Sequence, residues 1–215
     1  MTRPILLGHR GARASRSVRE NTLASFELCL QHGCDGFEFD VRHSSDGQAV
    51  ICHDPTVAGV EIAKASVNSL LLPTLEDVLR QFAHRAFLDI ELKVAGLEPQ
   101  TLAALRKHPP QKGCVVSSFL PVVLTTIRDL APATPLGFLC ETKGHLRGWR
   151  QMAVEWLIPH FDLVDQALVE QVHAAGNRIM LWTVNGEKRM RECAEWGADA
   201  IISDETELLV HSVVA

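Results

Sequence analysis

No stretch of this 215-residue chain stays apolar for the ~18 residues a membrane helix needs, because charge interrupts the longest apolar runs well before that. A transmembrane segment is therefore not expected. Basic residues do not gather into a stripe either. Lys and Arg number 21 against 26 Asp and Glu, a net charge of -5, whereas a nucleic-acid binder presents a basic face. Nucleic acid is not expected as a partner. The six cysteines (Cys29, Cys34, Cys52, Cys114, Cys140 and Cys193) fit no zinc or redox spacing. Most lie in apolar runs, where a free thiol behaves as a small hydrophobe. The apolar opening from Met1 to Gly8 is too short for a secretory signal, and no small-residue cleavage pattern follows it. Together these features point to a reducing, cytoplasmic setting. No internal repeat, low-complexity tract or linker divides the chain, so one domain is expected over residues 1–215.

What is present is a short apolar run followed by a helical pattern, repeated to the end. The spacing predicts strands at Ile5–His9, Gly36–Val41, Phe87–Leu92, Cys114–Ser117, Leu136–Cys140, Val154–Ile158, Ile179–Thr183 and Ala200–Ser203. Helices are predicted at Thr22–His32, Leu75–His84, Pro99–His108, Pro121–Leu130, His145–Met152, Gln166–Ala175, Glu187–Trp196 and Thr206–Val213. Strictly alternating strands and helices imply parallel strands with right-handed crossovers. About eight such units make a closed (βα)8 TIM barrel. Thr74 with Asp77 reads as a capping box, Asn21 as an N-cap, and Asp204 with Glu207 as a capping-box variant for the last helix. Gly33, Gly144, Gly176 and Gly197 fall at element ends, where a left-handed residue is often needed.

One segment breaks the alternation. Asp46-Gly47 lies between two β-like runs, which is a hairpin signal. Ala49–His53 is read as an arm returning over the C-terminal mouth of the barrel. Residues Pro55 to Pro73 then form a short cap loop.

Phe37-Glu38-Phe39-Asp40-Val41 alternates, so Glu38 and Asp40 share one strand face. In a barrel that face points inward, near the strand ends where barrel active sites lie. The same phase recurs in Leu88-Asp89-Ile90-Glu91-Leu92-Lys93, which sets Glu91 across the mouth from Glu38 and Asp40, with Asp89 one layer deeper. Two inward carboxylates resist burial unless paired or metal-bound. Three carboxylates without a thiolate form a hard oxygen site for Mg²⁺ or Ca²⁺. His9 ends the first strand and His53 ends the arm, both at the mouth. Histidine suits acid–base work near neutral pH. Arg10 offers a planar fork for phosphate oxygens and Lys93 a point charge. With a divalent cation bound, the site turns net positive and favours an anionic substrate such as a phosphodiester.

At this point the sequence resembles the glycerophosphodiester phosphodiesterase family. The resemblance is carried by Gly8-His9-Arg10-Gly11, Glu20-Asn21-Thr22, Glu38-Phe39-Asp40-Val41, Asp46-Gly47, His53-Asp54-Pro55, Pro73-Thr74-Leu75-Glu76, Glu91-Leu92-Lys93, Ser118-Phe119 and Trp182-Thr183-Val184-Asn185, in family order over nearly the whole chain. It implies a (βα)8 barrel that hydrolyses small glycerophosphodiesters to an alcohol and glycerol 3-phosphate. It implies His9 and His53 as the acid–base pair and Glu38, Asp40 and Glu91 as metal ligands. Arg10 and Lys93 are implied near the phosphate, with Trp182 lining the pocket. The chain departs from the family in having Arg19 where Pro often precedes Glu-Asn-Thr, and in lacking the Pro that follows the last strand's Asp. The competing readings are a lysophospholipid-directed phosphodiesterase on the same barrel and a catalytically silent barrel that binds metal or phosphate.

Overall fold

A computed structural model describes residues 3–214; Met1 and Thr2, the start of the apolar opening, lie outside the described residues. The chain runs through β1 (Ile5–Gly8), α1 (Leu23–Gln31), β2 (Gly36–His43), β3 (Ala49–Ile51), β4 (Thr56–Val57), β5 (Val60–Glu61), α2 (Val67–Leu70) and α3 (Leu75–Phe82). It continues through β6 (Phe87–Leu92), α4 (Glu98–Lys107), β7 (Cys114–Ser118), α5 (Pro121–Leu130), β8 (Leu136–Cys140) and α6 (Lys143–Gly148). The last units are β9 (Trp156–Pro159), α7 (Gln166–Ala174), β10 (Arg178–Leu181), α8 (Glu187–Glu195), β11 (Ala200–Ser203) and α9 (Thr206–Val214).

Eight strands pair in parallel in the order β1, β2, β6, β7, β8, β9, β10, β11, and β11 pairs back with β1. This is the (βα)8 barrel that the alternation predicts. The period-2 pattern of each strand sorts its side chains into two cores. Phe37, Phe39 and Val41 face outward and meet the helices. There Phe26 of α1 stacks on Phe37 at 4.2 Å between ring centroids, and Phe82 of α3 packs edge-on at 5.1 Å. Each such side chain, fully buried, contributes roughly 1.5–3 kcal/mol over an exposed one. Leu7, Val115, Ile158, Met180 and Ile202 fill the barrel interior. Among the described residues no helix is long and apolar enough to cross a membrane.

The arm forms as expected. β3 runs antiparallel to the end of β2, with Val41 opposite Ile51 and His43 opposite Ala49. The following segment is more than a loop. β4 and β5 make a second small hairpin, a 3₁₀ turn follows at Ile62–Lys64, and α2 completes the cap. Val50, Cys52, Ile62 and Leu70 bury one another in a core of their own beneath it. Strands of two residues fall below the length at which alternation can be read.

Local signals fare unevenly. Thr74 and Asp77 form the full capping box of α3. Thr22, not Asn21, caps α1, accepting from the Ser25 amide at 3.2 Å. The fifth helix is short and starts earlier than predicted, because Thr142 caps it; a 3₁₀ turn at Trp149–Gln151 replaces its second half. Gly144 consequently lies inside α6, whereas Gly33, Gly176 and Gly197 do take left-handed conformations at element ends.

Candidate active site

The turn after β1 is built for close approach. A Cβ on Gly8 would fall 2.5 Å from the Cys29 sulfur and from the Gly11 carbonyl oxygen, and one on Gly11 would fall 2.4 Å from Ser25 Oγ. With both positions bare, the turn folds down onto α1 and holds His9 and Arg10 over the mouth. Arg10 adopts a left-handed conformation, and its amide donates to Glu38 Oε2 at 2.9 Å. Its guanidinium meets Glu20 Oε1 at 2.9 Å and Asp40 Oδ2 at 3.2 Å.

The parallel register of β2 and β6 sets Glu38 beside Asp89 and Asp40 beside Glu91. All four carboxylates are buried. One oxygen each from Glu38, Asp40 and Glu91 lie within 4.8 Å of one another. Lys93 Nζ lies 2.7 Å from Glu91 Oε1 and 3.3 Å from Asp40 Oδ1. Burial, then the charges of Asp40 and Glu91, push the Glu38 carboxyl well above its ordinary range. Burial and Asp40 push Glu91 up to about 7, with Lys93 opposing. Burial also disfavours the charged form of Asp40, but Lys93, Arg10 and a hydrogen bond from Asn21 outweigh it and hold its pKa below normal. With all four ionised, the carboxylates would outnumber the two cations, Arg10 and Lys93, that touch them. Glu38 Oε1, buried, has no hydrogen-bond partner.

His9 closes β1 with its Nδ1 2.7 Å from Asp204 Oδ1 and its Nε2 3.9 Å from Glu38 Oε2. Burial lowers the pKa of this imidazole, against the pull of Asp204. His53, at the end of the arm, has its Nδ1 2.8 Å from Asp54 Oδ1. The Arg42 Nε donates to the His53 carbonyl at 2.7 Å and fixes the end of the arm. A carboxylate can only accept, so in both rings Nδ1 carries the hydrogen, and Nε2 is left for chemistry. Trp182 follows β10, donates from its indole to the Ile158 carbonyl at 2.9 Å and packs edge-on against Phe119. A cavity of about 370 Å³ brings together His9, Arg10, Glu38, His53, Glu91, Lys93 and Trp182, with Asp89 at its floor. Asp40 lies behind this wall, in contact with Arg10 and Lys93.

Asp204 is not the helix cap that its spacing to Glu207 predicts. Its carboxylate does not serve the last helix. It accepts from Arg13 Nη1 at 3.1 Å and from Asn185 Nδ2 at 2.7 Å, besides engaging His9. Burial opposes its ionisation, but His9, Asn185 and Arg13 hold its pKa well below the usual carboxylate range. The signal available in the sequence was its place one residue beyond the end of β11, the level at which the other strands deliver their polar groups. Phe119, at the cavity wall, likewise had no role assigned from the residues alone.

The family model of the glycerophosphoryl diester phosphodiesterase family matches residues 9–84 and 59–208. A glycerophosphodiester phosphodiesterase of Caldanaerobacter subterraneus subsp. tengcongensis is 28% identical, over 97% of this chain and 97% of its own length. The structure of an Oleispira antarctica phosphodiesterase in complex with the product sn-glycerol-3-phosphate superposes with a TM-score of 0.86 at 26% identity, covering 99% of this chain and 98% of that one. A glycerophosphodiester phosphodiesterase from Thermotoga maritima gives a TM-score of 0.83 at 27% identity, covering 98% of this chain and 99% of that one.

Proposed function

The chain belongs to the glycerophosphoryl diester phosphodiesterase family and is a phosphoric diester hydrolase, and on that premise we propose how it works: it cleaves glycerophosphodiesters to an alcohol and glycerol 3-phosphate, using two histidines and a divalent cation, as one domain. The observation that carries this reading is the group of three carboxylate oxygens within 4.8 Å of one another, two of whose residues, Glu38 and Glu91, line a cavity that also holds two imidazoles and two cations.

The residues fit a hard divalent cation. Glu38, Asp40 and Glu91 supply oxygen alone, the donor type that Mg²⁺ or Ca²⁺ takes. Glu38 Oε1 has no hydrogen-bond partner, and burial followed by mutual repulsion raises the pKa values of Glu38 and Glu91, a repulsion that a cation between them would relieve. A cation held there would polarise a phosphate oxygen and acidify the attacking hydroxyl. The remaining work falls to the side chains. Arg10 and Lys93 place positive charge against the phosphate. One of the two imidazoles takes the proton of the attacking hydroxyl through its Nε2, and the other returns a proton to the leaving alcohol oxygen. The attacking hydroxyl comes from the substrate's own glycerol or from water. Asp204 and Asp54 hold the two rings in the tautomer this needs. Trp182 and Phe119 give the cavity an apolar side.

The cap offers few side chains to read the leaving alcohol, and discrimination requires contacts that differ between substrates. Purified protein with Mg²⁺ or Ca²⁺ should release glycerol 3-phosphate from glycerophosphocholine, glycerophosphoethanolamine and glycerophosphoglycerol at rates within about tenfold of one another, a span of ~1.4 kcal/mol. Cleavage of lysophospholipids without cleavage of these three would overturn the reading.

A further inference from the structure

The floor of the cavity carries a carboxylate for which the chemistry above has no use. Asp89 lies on β6 two residues before Glu91, on the same inward face, and is fully buried. Its Oδ1 accepts from Ser117 Oγ at 2.6 Å. Its Oδ2 is buried and has no hydrogen-bond partner. Asp89 is not among the three carboxylates whose oxygens converge, yet it lines the same cavity. Leu139 and Ile202 line the same cavity and offer no donor, and Glu38, beside Asp89 in the strand register, only accepts when ionised. A buried polar atom without a partner is costly, and native structures seldom leave one unless a ligand or water completes it.

The strand fixes how deep this oxygen lies. Two residues of strand rise about 6.6 Å, so with strands tilted about 36° to the barrel axis Asp89 stands roughly 5 Å below Glu91. A phosphate held at the level of Arg10 and Lys93 would let the three-carbon chain of glycerol hang toward the floor, while the variable alcohol leaves by the open mouth. We propose that Asp89 Oδ2 accepts a hydrogen bond from the terminal hydroxyl of the substrate's glycerol half, which makes Asp89 the residue that distinguishes glycerol from other diols. The assignment rests on the site being that of a glycerophosphodiester hydrolase. A site built to pair a buried hydroxyl discriminates strongly against the analogue lacking it, because its own polar atom is then left unpaired.

The test compares glycerophosphocholine with the corresponding diester of propane-1,2-diol, which keeps the hydroxyl next to the phosphate and lacks only the terminal one. The wild-type protein should favour glycerophosphocholine in kcat/KM by at least ~10-fold. Asp89→Leu should shrink that ratio to within about threefold, and Asp89→Ala serves the same purpose if the leucine variant fails to fold. Asp89→Asn, which still offers an acceptor, should restore most of the preference. A ratio unchanged in the leucine and alanine variants, with both substrates slowed equally, would overturn the assignment and leave Asp89 a structural group. Wild-type protein that cleaves propanediol diesters and glycerophosphodiesters alike would also overturn it, while the hydrolase reading stands. Wild-type protein that cleaves neither overturns both.

Discussion

His9 and Asp204, 195 residues apart, meet across the seam that closes the barrel, Nδ1 to Oδ1 at 2.7 Å. The pairing of β1 with β11 makes the contact: Gly8 stands opposite Ser203, and each side chain follows its strand by one residue. Asn185 and Arg13 hold the carboxylate from two further sides. The imidazole is thereby fixed in one tautomer with Nε2 toward Glu38. Asp204→Asn should lower kcat by ~10-fold or more, as for a misoriented acid–base group, with little change in KM. Steady-state kinetics on glycerophosphocholine check it, and an unchanged kcat would detach Asp204 from the chemistry.

The same residue should leave a mark on stability. Its folded pKa is depressed, against an unfolded value near 3.9. The stabilisation is therefore complete above about pH 5 and is lost as pH falls through the folded value, because the unfolded chain takes up the proton first. Denaturant melts of wild type and Asp204→Asn should differ at neutral pH, and the difference should shrink below about pH 4 as Asp204 takes up its proton. A difference that failed to shrink below about pH 4 would contradict the pairing.

Loss of either proposed acid–base group should be severe. His9→Ala and His53→Ala should each lower kcat by at least ~10²-fold while circular dichroism and melting stay close to wild type. Near-normal turnover in one variant would remove that histidine from the mechanism.

Depth along β6 can be tested separately. Glu91 contributes an oxygen to the converging trio and Asp89 does not. Calorimetric Mg²⁺ or Ca²⁺ binding should be weakened far more by Glu91→Gln than by Asp89→Asn. Equal losses would place the cation deeper in the barrel than the trio.

The barrel was legible because it is written in local periodicity. Phe37, Phe39 and Val41 against Glu38 and Asp40 declare an inner and an outer face, and β6 repeats the phase. Once the strands are taken as parallel, the trio at the mouth follows. What escaped was decided by partners far away in sequence. Asn21 and Thr22 are both good N-caps by type, and nothing local ranks them. In the structure Asn21 takes a left-handed conformation, and its side-chain amide donates to Asp40 at 2.8 Å, so the cap falls to Thr22. Asp204 with Glu207 matches a capping pattern, yet His9 at the other end of the chain claims the carboxylate. The cap from Thr56 to Leu70 escaped for a different reason: its strands are too short to show a period, and its small core uses residues from the arm.

Cleavage of glycerophosphodiesters should require a divalent cation at Glu38, Asp40 and Glu91. The most direct measurement is glycerol 3-phosphate release from glycerophosphocholine by metal-stripped protein, in excess chelator and again after Mg²⁺ or Ca²⁺ is returned. Release should be negligible under chelation and should recover once the cation is restored. Full activity in the stripped, chelated protein would contradict that requirement.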